Sequence, residues 1–324
     1  MKKIVLVVGL FIIVALGWSI IGRRRERAQL PAAPAVYQVG DYREALMVNG
    51  RERSYLLHLP IGFDGKTQYP LLVGFHGGNG SGEKFAGQTG LSVAADRKGF
   101  IAVFPDGIEH NWNDGRDTTD AFKAGADDVK FVRLLVEDLK KKLPVDEKRI
   151  YATGVSNGGI FSQRLGCEMA DVFAAIGPVV GPIATKLAPR CNPARPISVV
   201  GIQGTADPGS PINGGEQSGF GDRGDGGIVE SAESTMKLWA SRNGCALTPT
   251  VTKLPVKVND GTSVEQITYR DCKDAVEVIY YIVNGMGHGW PPKKPQAERL
   301  AGSTSQNIDA TETIWEFFKT HPRQ

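Results

Sequence analysis

The chain has 324 residues, 41% apolar and 23% charged, with 38 basic and 35 acidic residues for a formal net charge of +3. This balance excludes a disordered chain, and without a sustained basic stripe it excludes nucleic acid as a partner. The length suits one large α/β domain or two small ones.

The N-terminus stands apart. Lys2 and Lys3 precede an uncharged run from Ile4 to Gly22, and Arg23, Arg24 and Arg25 follow it. Residues 1–25 read as a signal peptide or a membrane anchor. The run matches the roughly 20 apolar residues of one span, while Ala15-Leu16-Gly17 offers the small residues of a cleavage site. The basic excess on the C-terminal side would by itself keep the following domain in the cytoplasm. The cysteines argue the other way. Cys167, Cys191, Cys245 and Cys272 lack the C-x-x-C spacing of a metal or redox site, and two disulfides in an oxidising compartment fit them best. Three connectivities exist; proximity in sequence favours Cys167 with Cys191 and Cys245 with Cys272. The expected protein is exported, secreted or periplasmic, and touches a membrane through its first segment alone.

Residues 26–39, rich in Pro and Ala, read as a linker, and residues 40–324 as the folded domain. In chain order, "SYLLHLP", "YPLLVGFHG" and "GFIAVFPDG" are predicted strands, "DDVKFVRLLVEDLKKKL" an amphipathic helix, and "RIYATGVS" a strand. Then come the helix "GGIFSQRLGCEMAD", the strands "FAAIGPVVG" and "PISVVGIQG", and the helix "VESAESTMKLWASRNG". The strand "AVEVIYYIVNG" and the helix "SQNIDATETIWEFFKTH" complete the series. Strands alternating with helices imply an α/β fold with a mainly parallel sheet and helices on both faces. Asn213 to Gly227 is low in complexity and reads as a loop; its acidic residues lack the spacing of a calcium site.

The chemistry gathers around Gly154-Val155-Ser156-Asn157-Gly158, which ends one predicted strand and opens one predicted helix. Glycines on both sides allow a tight, strained turn that holds a nucleophile above the sheet. A Ser hydroxyl needs a His base and a carboxylate to orient that base. With the chain order Ser, Asp or Glu, His, only His288 and His321 of the five histidines qualify. His288 lies in a Gly-rich loop directly after a strand, where parallel sheets build sites, and His321 lies behind the last helix. Asp207 follows a buried-type strand in a turn shaped by Gly204 and Pro208, which makes it the candidate carboxylate over Asp222 and Asp225. Two backbone amides are needed for an oxyanion: that of Asn157, next after the nucleophile, and one from His76-Gly77-Gly78. Gly78 is the preferred donor and Gly77 the alternative. A phosphate cradle would need a following Gly-Lys-Ser/Thr, which is missing.

"HGGNGSG", "FPDGIEHNWNDGR", "DDVKFVRLLVEDL", "IYATGVSNGG", "CEMADVFAAIGPVVG", "GTADP", "LWASRNGC" and "GMGHGWP" together resemble the secreted feruloyl esterase and polyhydroxybutyrate depolymerase family of α/β-hydrolases. The similarity runs from about Tyr42 to Pro292. It implies the α/β-hydrolase fold and a serine carboxyl ester hydrolase with Ser156 as nucleophile, Asp207 as carboxylate and His288 as base, without metal or cofactor. The implied substrate is an ester: a small molecule, an oligomer or a polysaccharide-linked acyl group. It also suggests that Trp112 and Trp290, with His76, line the acyl pocket. Where the family has "GGGHTWP", this chain has Met286 and Gly289, so an altered pocket wall is expected. No polymer-binding module follows, so a solid polyester is not the expected substrate. An acyltransferase with the same triad, and a non-catalytic binding protein on the same scaffold, are the alternatives.

Overall fold

The computed structural model describes residues 37–217, 226–294 and 298–324. The chain divides into two units, Met1–Tyr37 and Gln38–Gln324, and all the elements below belong to the second. The expected leader or anchor and most of the linker lie outside the described residues, as do Asp222 and Asp225. Among the described residues no helix is long and apolar enough to cross a membrane.

The strands are β1 (Gly40–Val48), β2 (Arg51–Leu59), β3 (Tyr69–Phe75), β4 (Ile101–Pro105), β5 (Val145–Val155) and β6 (Ala175–Val179). They continue with β7 (Ser198–Gly204), β8 (Gly215–Glu216), β9 (Ile228–Val229), β10 (Thr250–Lys253), β11 (Ser263–Tyr269) and β12 (Val278–Asn284). The helices are α1 (Gly82–Thr89), α2 (Leu91–Lys98), α3 (Asp120–Lys123), α4 (Asp128–Lys142), α5 (Asn157–Glu168), α6 (Ala232–Arg242), α7 (Glu298–Ala301) and α8 (Ala310–Thr320).

Ten strands form one sheet in the order β1-β2-β4-β3-β5-β6-β7-β12-β11-β10. The six central strands, β4 to β12 in that order, pair in parallel; β1, β2, β11 and β10 add antiparallel flanks. β3 is buried at every position, the continuous apolar pattern of a strand covered on both faces. Its side chains alternate between two cores. Leu72 packs in one with Phe85 of α1, Ala94 of α2 and Phe318 of α8. Phe75, of opposite parity, meets Phe161 of α5 edge-on at 5.1 Å between ring centroids. This is the α/β-hydrolase architecture, with helices on both faces.

Helix α4 shows how the sequence writes such an element. Asp127 caps it by accepting the amide of Lys130, and Lys140, Lys141 and Lys142 lie at its negative end. Phe131, Leu135 and Leu139, at spacing four, form its buried stripe.

The disulfides are Cys167–Cys191 and Cys245–Cys272, the pairing that proximity favours. The first fastens the end of α5, the helix that begins at the Ser156 turn. Within the Asn213 to Gly227 stretch, Gly215–Glu216 forms β8, which pairs antiparallel with β9 just beyond it, while residues 218–225 lie outside the described residues. Accordingly, α6 begins only at Ala232, with Ser231 as its cap.

Candidate active site

Parallel strands present their C-terminal ends on one edge, and the three chemical candidates sit there: Ser156 after β5, Asp207 after β7 and His288 after β12. Backbone bonds stitch these strand exits together. Ser156 donates its amide to the Val179 carbonyl (3.0 Å), Val180 to Ile202 (2.8 Å), Thr205 to Val283 (3.1 Å) and Ala206 to Met286 (2.9 Å).

Ser156 has φ 57° and ψ −123°, a strained conformation for a residue with a Cβ. Val180 beside it has φ 44°, an outlier for a β-branched residue. The turn is possible because its neighbours have no side chain. A Cβ on Gly158 would stand 2.2 Å from the Phe75 carbonyl oxygen, and one on Gly154 would stand 2.5 Å from the backbone of Gly158. Strand exit, turn and helix start thus occupy space that only glycine fits.

Asp207 and His288 meet directly. Nδ1 of His288 lies 2.8 Å and 3.0 Å from the two carboxylate oxygens, and both residues are buried. Asp207 Oδ1 also accepts the amides of Gly209 and Ser210, each at 2.8 Å, which fixes the orientation of the carboxylate. Behind it, Gln203 donates to the Ser210 carbonyl and Gln217 to the Ser210 hydroxyl. The histidine loop is clamped too: Gly287 donates to Ser303 and His288 to Ala301, both through backbone amides. The carboxylate on Nδ1 fixes the orientation of the ring, with Nε2 as its opposite nitrogen.

The loop after β3 lies against the Ser156 turn, since a Cβ on Gly77 would be 3.4 Å from that of Ser156. His76 is a fixture of this loop and not a pocket wall, being only 2% exposed. Its Nε2 accepts from the Gly107 amide (3.0 Å), so the proton sits on Nδ1, which donates to the Gly77 carbonyl (2.7 Å). Burial holds the imidazole down at about 4, against the opposing pull of the Gly77 carbonyl. The same carbonyl accepts from the Gly80 amide. A trans peptide points its N–H opposite its C=O, so the Gly78 amide is directed away from both partners. On the other side Asn157 is the first residue of α5, where no intrahelical carbonyl is available to its amide.

The tryptophans do not line a pocket. Trp112 is fully buried, stacked on Phe161 with its indole N–H on the His76 carbonyl at 3.0 Å. Trp290 is 5% exposed, edge-on to Phe85, with its N–H on Thr311. Met286 is equally buried, so the departure from the family's Gly changes packing below the loop and not a wall beside the substrate.

Sequence reasoning missed Asp114 and Arg116. Asp114 accepts from the Asn157 carboxamide (2.7 Å) and from the Arg116 guanidinium (2.8 and 2.9 Å), all out of reach of solvent. The signal was available: two opposite charges and a Trp inside "NWNDGR", between a strand and a helix.

Residues 53–188 match the family model described as "Esterase PHB depolymerase". Feruloyl esterase B of Piromyces equi is 34% identical over 242 residues, which are 73% of this chain and 42% of that one. The chain therefore spans less than half the length of that relative. The probable feruloyl esterase C of Aspergillus niger is 30% identical over 278 residues, 84% of each chain.

The chain belongs to the feruloyl esterase and polyhydroxybutyrate depolymerase family. This is a family of carboxylic ester hydrolases, and Ser156, with its glycines, falls inside the matched segment. An acetyl xylan esterase from Aspergillus awamori shares the fold at 14% identity, with a TM-score of 0.56 over 82% of this chain and 94% of that one.

Proposed function

We propose that this family member hydrolyses carboxylic esters through an acyl-enzyme on Ser156. The observation that carries the reading is the buried His288–Asp207 pair on the same sheet edge as a strained Ser156 turn. His288 takes the proton of the Ser156 hydroxyl as the oxygen attacks the ester carbonyl, and Asp207 stabilises the imidazolium that forms. The amides of Asn157 and Gly78 receive the oxyanion. His288 then gives its proton to the departing alcohol, and water repeats the attack with the same base, releasing the acid and restoring Ser156. No step requires a metal or an organic cofactor.

The relatives named as feruloyl esterases make a feruloyl ester the first substrate to try. The two disulfides support an exported protein whose catalytic unit is residues 40–324, with residues 1–25 as leader or anchor and 26–39 as tether. The test compares wild type and Ser156→Ala on 4-nitrophenyl acetate, methyl ferulate, and butyryl and 3-hydroxybutyryl esters. Wild type should turn over at least one of them and Ser156→Ala none; equal rates would end the reading.

A further inference from the structure

The segment "NWNDGR" lies buried beneath the two loops that hold the oxyanion amides, and its hydrogen bonds run to both. The Asn157 carboxamide grips the backbone of Trp112 at two points: its Oδ1 accepts the Trp112 amide (2.8 Å) and its Nδ2 donates to the Trp112 carbonyl (3.0 Å). The same Nδ2 donates to Asp114, whose second partner is Arg116. From the other end of Trp112 the indole N–H reaches the His76 carbonyl, and the His76 ring in turn holds the Gly77 carbonyl. The indole packs parallel to Phe161 at 5.2 Å, with an interplanar angle of 4°, and edge-on to Phe75.

We propose that Trp112 is a positioning residue that sets the separation of the Asn157 and Gly78 amides, with Asp114 and Arg116 anchoring it. The proposal rests on the reading of Ser156 and these two amides given above. Two donors on separate loops, one on α5 and one after β3, can serve one developing oxyanion only if their spacing is fixed before reaction, because misplacement by about 1 Å costs on the order of a hundredfold in rate. Apolar side chains would fill this core at no loss of stability, since buried ion pairs and carboxamides are costly to desolvate. What the polar chain adds is a rigid connection from one amide to the other.

Trp112→Phe tests it, since Phe retains a ring against Phe161 and lacks the N–H that holds the His76 carbonyl. Phe161→Leu loosens the same stack without removing a hydrogen bond and serves as the control for packing. On an aryl ester, Trp112→Phe should lower kcat by about 10- to 100-fold with KM changed less than about threefold. Its affinity for a boronic acid that mimics the tetrahedral intermediate should fall by the same factor as kcat/KM, while its affinity for the product acid stays unchanged. Phe161→Leu should lose thermal stability and keep wild-type kcat and boronate affinity.

If Trp112→Phe does not fold, the charge-balanced double variant Asp114→Asn/Arg116→Gln weakens the hold on Asn157 from the other side and should show the same split. A folded variant with wild-type kcat and boronate affinity would overturn the proposal, as would loss of kcat in Phe161→Leu in proportion to stability. If Ser156→Ala in the same assay hydrolyses like wild type, the underlying reading has failed instead, and the proposal goes with it.

Discussion

Gly158→Ala puts the tightest feature of the site under direct strain. The new Cβ would stand 2.2 Å from the Phe75 carbonyl oxygen and 2.5 Å from that of His76, where carbon and oxygen ordinarily keep about 3.3 Å or more. Both oxygens are backbone, so relief requires β3 or the start of α5 to retreat by about 1 Å. Phe75 pairs with Gly154 in the β3–β5 ladder, which means the retreat opens the sheet directly beneath Ser156. Overpacking of this kind costs about 3 kcal/mol, and in a domain of this size lowers Tm by roughly 5 °C. Because His76 and Gly77 shift with Phe75, turnover of an aryl ester should fall about a hundredfold as well. Calorimetry and initial rates measure both, with Gly87→Ala as the reference. Gly87 lies in α1 with open space where a Cβ would go, and its replacement should raise Tm by roughly 1–2 °C through helix propensity. A Gly158→Ala enzyme with wild-type Tm and turnover would refute the reasoning.

Asp207→Asn should lower kcat by about a thousandfold or more with little change in Tm, since an Asn oxygen can still accept the Gly209 and Ser210 amides while its amide group cannot stabilise an imidazolium; a loss under tenfold, read as initial rates, would contradict the role. His76 gives a pH dependence of stability. Its folded value is about 4 against 6.5 for the free side chain, so between these limits the unfolded chain binds a proton that the folded one refuses. Stability is therefore full above about pH 6.5 and is lost toward pH 4, by about 3 kcal/mol in all. Denaturant titrations at pH 7 and pH 4.5 should show a smaller loss in His76→Gln than in wild type; equal losses would rule the histidine out. Replacing the Cys167–Cys191 pair by serines should cost about 3 kcal/mol by releasing a loop of about 25 residues, measured as a lower denaturant midpoint, and an unchanged midpoint would contradict it.

The central strands were legible because burial on both faces writes an unmistakable signal: β3 and β7 are apolar runs bounded by turn residues. The edges were not. β1 alternates half-buried and exposed residues, and β10 is exposed at every position, so neither carries enough apolar pattern to mark a strand; pairing with β2 and β11 makes them strands. The short helices α1 and α2, separated by the single residue Gly90, were hidden for a related reason, their few buried positions being Ala, Gly and Thr beside Phe85 and Leu91. At the candidate site, the placement of Ser156, Asp207 and His288 at three strand exits on one sheet edge was readable from the sequence. Trp112, Trp290 and His76 were misread because a side chain near a site in sequence can belong to the layer beneath it. Only the structure shows their side-chain polar atoms occupied by the His76 carbonyl, Thr311, Gly77 and Gly107. Asp114 and Arg116 carried a local hint in the charges and the Trp of "NWNDGR", but what they hold required knowing that the loop before α3 folds against the start of α5, a long-range contact.

The central claim is that Ser156 carries the acyl group. Reaction of the full chain with a fluorophosphonate, followed by intact mass and peptide mapping, tests it most directly. The account predicts one label per chain on the peptide containing Ser156, loss of ester hydrolysis in step with labelling, and no label in Ser156→Ala. An enzyme that hydrolyses esters while Ser156 stays unlabelled, or whose label falls on another residue, would contradict it.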